Sequence, residues 1–175
     1  MTLYLIEGVL KNLRPEEIEQ SLDAIAHAAS QAQAELIEAQ VGEDLQHLFV
    51  VIDAPDEAIA QHSFVAGGFT VSLVKAVRLV GQDLDTVRAR KGKANYLVEW
   101  NLPAGLTMDA YLKRKAEKSP LYAQVPDVQF ERTYVCEDLS KCLCFYDSPD
   151  ESTVKQAREV VGAPIDRLTP IRNVH

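Results

Sequence analysis

Short apolar runs rich in Val, Ile, Leu and Phe recur along the chain, separated by stretches whose apolar residues stand three and four apart. The runs at residues 3–9, 34–41, 47–53 and 70–80 predict strands, since a strand buried on both faces reads as a continuous β-branched or aromatic run. Between the first two, Ile18, Leu22, Ile25 and Ala29 keep helical spacing, and Pro15 followed by Glu16 and Glu17 supplies a helix start. Pro55-Asp56-Glu57 opens a second helix, which Gly67-Gly68 should end through a left-handed residue. The predicted order is β-α-β-β-α-β.

The second half follows the same plan. Strands are predicted at residues 95–101, 128–135, 141–147 and 165–174, with Pro170 marking an edge or a bulge in the last. Thr107 should cap a helix that Pro120 ends near Ser119, and residues 149–161 form another, closed by Gly162. The correspondence extends to the letters. Val41-Gly42-Glu43-Asp44-Leu45 and Asp53-Ala54-Pro55-Asp56-Glu57 match Val135-Cys136-Glu137-Asp138-Leu139 and Asp147-Ser148-Pro149-Asp150-Glu151 at an offset of 94 residues. Tyr4-Leu5-Ile6-Glu7 matches Tyr96-Leu97-Val98-Glu99. The sequence predicts an α+β protein of two tandem ferredoxin-like units, residues 1–81 and 95–175, joined by a charged, exposed linker at 82–94 with a helical start. Each unit would cover one sheet face with helices. The two bare faces would then pack on each other as an α+β barrel within one chain.

Charge narrows the function classes. The net charge is −8, which argues against nucleic acid as a partner. Residues 1–81 hold 12 acids and 4 bases, whereas 96–175 hold 12 acids and 10 bases, so the halves present different surfaces. The N-terminus lacks a basic region and Glu7 breaks its apolar run, so no signal peptide and a cytoplasmic location are expected. No run of 18 apolar residues predicts a membrane span.

Candidate chemistry lies mainly in the second half. Cys142 and Cys144 are two apart on a strand and share a face. Thiolates suit soft and borderline metals, and Glu99 on a neighbouring strand would approach the pair. Leu48 and Val50 hold the matching places in the first half, which favours a packing role for both cysteines. Cys136, across the hairpin from Cys142, allows a reversible disulfide if the geometry permits. Glu7 and Glu99 would either face a shared cavity or end their strands beside surface bases. In the repeated Asp-x-Pro-Asp-Glu, the first acid should cap the helix, proline start it and Asp-Glu fill its first turn.

Tyr96-Leu97-Val98-Glu99, Leu102-Pro103-Ala104-Gly105-Leu106-Thr107, Glu131-Arg132-Thr133-Tyr134-Val135, residues 142–151 and residues 162–168 together resemble a family of small ferredoxin-like proteins, a domain of unknown function with members described as nickel-binding. The resemblance covers nearly all of residues 95–172. It implies a ferredoxin-like fold with dimer-type sheet packing and suggests a transition-metal site, nickel or another. The family's strand cysteine corresponds to Cys144. A family histidine about two turns into the second helix corresponds to His62 in the first half, while the second half has Gln156-Ala157 there. Neither half holds the full ligand set, so a site would be asymmetric, confined to the second half or built where the two halves meet. The expected metal ligands are Cys144, Cys142, Glu99 and His62. The expected function is non-catalytic binding or sensing of a metal ion or small ligand, in a monomer with pseudo-dimeric repeats or a homodimer. A barrel holding a small organic ligand, with or without turnover, and an acidic protein-interaction module are the alternatives.

Overall fold

Among the described residues, eight strands close into one antiparallel barrel with five helices around and across it. The computed structural model describes residues 1–11 and 13–175. In chain order the elements are β1 (Thr2–Val9), α1 (Pro15–Gln31), β2 (Glu35–Gly42), β3 (His47–Ala54), α2 (Glu57–Val65) and β4 (Thr70–Val80). After α3 (Leu84–Arg90) follow β5 (Tyr96–Asn101), α4 (Met108–Lys118), β6 (Gln129–Cys136), β7 (Lys141–Asp147), α5 (Glu151–Val160) and β8 (Arg167–Asn173). A 3-10 turn, Ser119–Gln124, continues α4 where Pro120 cannot. Among the described residues, no helix is long and apolar enough to cross a membrane.

The strand order around the barrel is β1-β3-β2-β8-β5-β7-β6-β4, returning to β1. Strands of residues 1–80 therefore form one contiguous arc and those of 96–173 the other. The arcs meet at two short seams: Gln40–Gly42 against Ile171–Asn173, and Val77–Val80 against Thr133–Cys136. Closure leaves no edge strand. Pro170 is accordingly not at an edge: it stands opposite Tyr96 on β5, and its carbonyl accepts the Glu43 amide at 2.9 Å.

Three cores divide the interior. α1 and α2 bury Ile18, Leu22, Ile25 and Phe64 against the outer face of the first arc. α4 and α5 bury Tyr111, Val154 and Ala157 against the outer face of the second, over Val98, Cys142, Cys144 and Tyr146. The third core is the barrel interior, filled from both arcs by Leu5, Phe49, Val51, Leu97, Tyr134, Leu143 and Phe145.

Segment 82–94 starts as a helix and leaves most of its basic run exposed, but it is anchored at Val87 and Ala94. Its helix α3 buries Val87 in the interior core, beside Leu84 and Ala94. Arg88 pairs with Glu35 at 2.9 Å and Arg90 with buried Glu131 at 2.8 Å, so the basic run clamps α3 across one barrel end. The helix caps fall three residues later than predicted, on the second acid of the motif rather than the first. Asp56 and Asp150, each following its proline, accept the Ile59 and Thr153 amides at 2.8 Å. The helices therefore begin at Glu57 and Glu151 rather than at the prolines.

Candidate functional site

The outer face of β7 carries Cys142 and Cys144 on alternate residues, and α4, the 3-10 turn and α5 roof them over. Between these elements lies a cavity of about 40 Å³. Its floor is Cys142, Cys144 and Trp100; its walls include Tyr111, Tyr122 and Arg158; Arg114, Lys115 and Lys118 form its rim. Tyr146 lies beneath, its hydroxyl 2.6 Å from that of Tyr122.

Arg158 is the decisive residue. It is 3% exposed, on the face of α5 that also buries Val154 and Ala157. A guanidinium keeps its charge even when buried, and a buried charge is costly unless paired. Among the described residues, no carboxylate comes within ion-pair distance of it. Its partners are the Cys144 sulfur at 3.4 Å, the Tyr146 hydroxyl at 3.2 Å and the Pro164 carbonyl at 2.6 Å. Its Nε is buried with no acceptor.

The Cys144 thiol is correspondingly held well below its ordinary range. Hydrogen bonding from the Cys142 thiol does most of this, against the cost of burial, and the charges of Lys115 and Arg158 and a bond from Thr133 add to it. Thr133 Oγ1 is 3.2 Å from the sulfur. Cys142 moves the opposite way, well above its ordinary range, because it donates to Cys144 and is buried. The two thiols therefore differ in acidity, and Cys144 is the more readily ionised of the pair. Burial likewise raises the phenols around it, Tyr122 to about 12 and Tyr111 further.

The other expected ligands lie elsewhere. Glu99 is on the opposite face of its strand, inside the barrel, 5% exposed. There Lys141 bridges it to Glu7, at 2.8 Å and 2.6 Å, and Arg167 stands 3.8 Å from its second oxygen. Arg167 also contacts His47 at 2.9 Å. Glu7 and Glu99 thus do share one space at a barrel mouth, with a base between them. Burial raises the Glu7 carboxyl, and Lys141 partly offsets this. His62 is exposed on α2 in the first half and joins neither group. Cys136 belongs to the interior core while Cys142 belongs to the outer one, so the sheet separates them and no disulfide can form between them.

Arg158, Tyr111 and Lys115 were not among the expected residues. One signal for Arg158 stands in the sequence: Val154, Ala157, Arg158 and Val161 have the spacing of a buried helix face, and a charge on that face demands a partner.

Residues 96–171 match the family described as nickel responsive protein, SCO4226-like. A crystal structure of a proposed chlorite dismutase superposes with a TM-score of 0.63 at 14% identity, over 99% of this chain and 96% of that one. An anthrone oxidase-like protein gives 0.51 at 13% identity, over 99% and 92%. At these identities the two structures establish the fold alone. None of the curated proteins matches the chain significantly in sequence.

Nickel accepts thiolate donors, and Cys142 and Cys144 would be the residues to hold it. The surroundings do not complete such a centre. Among the described residues, no three His, Cys, Asp or Glu side chains converge on a point, and the charged groups lining the cavity are Arg114, Lys115, Lys118 and Arg158.

Proposed function

We propose that this chain is a non-catalytic binding protein, a sensor or buffer, whose ligand enters the cavity over Cys142 and Cys144 and is thiol-directed. One observation carries this reading: among the described residues buried Arg158 has no carboxylate partner, and its guanidinium donates to the Cys144 sulfur instead. A cysteine used only as filler needs no guanidinium beside it. A low-pKa thiolate beneath a cavity is the arrangement that ligation or reactivity requires. The nickel-responsive description of the matched family supports a metal-linked role, and the repeated β-α-β-β-α-β order supports two copies of one unit, of which only the second kept this pocket. Glu99 and His62 fall outside the proposed site.

The test is the alkylation rate of each cysteine by iodoacetamide, followed by mass spectrometry across pH. Cys144 should react as a thiolate well below the pH at which an ordinary thiol does, and Arg158→Met should shift that profile upward. The reading fails if Cys144 reacts only at the rate of global unfolding, or if Arg158→Met leaves its pH profile unchanged.

A further inference from the structure

We propose that Cys142 and Cys144 together bind one univalent soft metal ion, of the copper(I) class, as a two-sulfur complex with Arg158 as its counter-ion. The inference rests on the reading of this cavity as the binding site and names what it takes.

Three observations converge. The first is donor number. Cys142 and Cys144 are neighbours on one face of β7 and line the same cavity. Cys136 is on the other side of the sheet, and no third His, Cys, Asp or Glu completes the group among the described residues. Tetrahedral zinc sites take four protein ligands, or three and an open position. A univalent ion with a filled d shell is satisfied by two thiolates. Soft sulfur donors also select copper(I) over harder ions.

The second is charge. Two thiolates and a univalent cation make a complex of net charge −1, which buried Arg158 neutralises. Two thiolates and a divalent cation make a neutral complex, leaving Arg158 without an anion in a site where no carboxylate replaces it. The Arg158 Nε, buried and lacking an acceptor, is the mark of a counter-ion whose anionic partner is incomplete. The cationic rim of Arg114, Lys115 and Lys118 has the same preference. It would repel a free hydrated cation and admit an ion delivered as an anionic thiolate complex, from which Cys142 and Cys144 take it by ligand exchange. Cys144 binds as the thiolate, Cys142 gives up its proton as its sulfur binds, and of the two displaced carrier ligands one leaves as a thiolate and the other takes that proton.

The third is size. About 40 Å³ exceeds the space of a water molecule or an ion. It is far below the several hundred Å³ of a pocket for an organic ligand (about 300 Å³ upward). Trp100 and Tyr111 beside the sulfurs shield such an ion from water and oxidant.

The test uses the full-length reduced protein under anaerobic conditions. Copper(I) is titrated in competition with a chromophoric copper(I) chelator, and silver(I) serves as a redox-inert second probe. One equivalent should bind, with two sulfur neighbours seen by X-ray absorption at the copper edge. Cys142→Ser and Cys144→Ser should each abolish binding, and Arg158→Met should weaken it about tenfold, as loss of an outer-shell partner does. Cys136→Ser should leave it unchanged, and far-ultraviolet circular dichroism checks that each variant is folded. Binding that survives Cys142→Ser, displacement of copper(I) by nickel(II) or zinc(II), or failure to compete with the chelator would overturn the proposal. If copper(I) fails to bind while Cys144 still alkylates as a thiolate, only this inference falls; if both fail, the reading of the cavity falls with it.

Discussion

Glu38 and Arg132 meet inside the barrel as a bidentate ion pair, each 1% exposed, the fourth residue of β2 against the fourth residue of β6. Arg132 Nε is 2.9 Å from one carboxylate oxygen, Nη2 bonds the other, and the Tyr134 hydroxyl donates to the same group. The guanidinium also lies 4.8 Å from the centre of the Phe145 ring. Gln40 adds a bond at 2.9 Å, so the carboxylate is fully supplied with donors. Removing one partner strands the other. Glu38→Ala or Arg132→Ala should therefore cost about 3–5 kcal/mol, whereas Glu38→Met with Arg132→Leu should come out near neutral. Urea unfolding of the four proteins as a double-mutant cycle measures this, and equal losses in single and double variants would contradict it.

At the barrel mouth, Lys141 is what lets two carboxylates coexist. Glu7 already has a raised pKa from burial, and a raised carboxyl pKa means stability falls as pH climbs through the folded value. Lys141→Met removes the offsetting charge, so this loss should steepen. The urea midpoint of Lys141→Met should be close to wild type near about pH 4 and fall progressively by about pH 7, where the buried Glu7 carboxyl ionises without the ammonium beside it. A pH-independent deficit would instead indicate lost packing.

Asp56 and Asp150 each hold the first turn of a helix by accepting a backbone amide at 2.8 Å, and Asp150 also accepts the Thr153 hydroxyl at 2.7 Å. Replacing either by alanine should cost about 1 kcal/mol, read from thermal unfolding. Asp53→Ala and Asp147→Ala, two residues before the proline, should show no capping loss.

Gly67 marks the closest approach of the α2 terminus to α1. A methyl group there would stand 2.8 Å from Ile25 Cγ1 and 2.9 Å from the Ser21 carbonyl oxygen, and the backbone oxygen cannot yield as a side chain can. Gly67→Ala should destabilise by about 1–3 kcal/mol, as overpacking does. Gly92→Ala, where a methyl would meet nothing within 4 Å, is the matched control.

The strands were legible because each is an apolar run bounded by turn residues, and β4 occupies the residues its pattern predicts. The outward placement of Cys142 and Cys144 was not legible. In β7 the residues from Cys142 to Tyr146 are all buried, because the inner face meets the barrel core and the outer face meets α4 and α5. Alternation then says that the two cysteines share a face without saying which. Glu99, one strand over, went to the inner face and so parted from them. In segment 82–94 the charges and the helical start were legible, while its anchoring was not, because Val87 and Ala94 are two apolar residues in a charged composition. The charges then find carboxylates on the rim. Arg158 was hidden because one charge in an amphipathic helix reads as surface until the helix is docked.

Glu38 and Arg132 hold corresponding places in the two arcs, 94 residues apart. An arc that paired with an identical copy of itself would set glutamate against glutamate, or arginine against arginine, inside its barrel. The pair works only because the two places hold different residues. Neither arc alone could therefore close a symmetric barrel with a second copy of itself without burying two like charges. The asymmetry of the chain is built into its core as well as into the thiol pocket, where Leu48 and Val50 stand in the first arc at the places of Cys142 and Cys144 in the second.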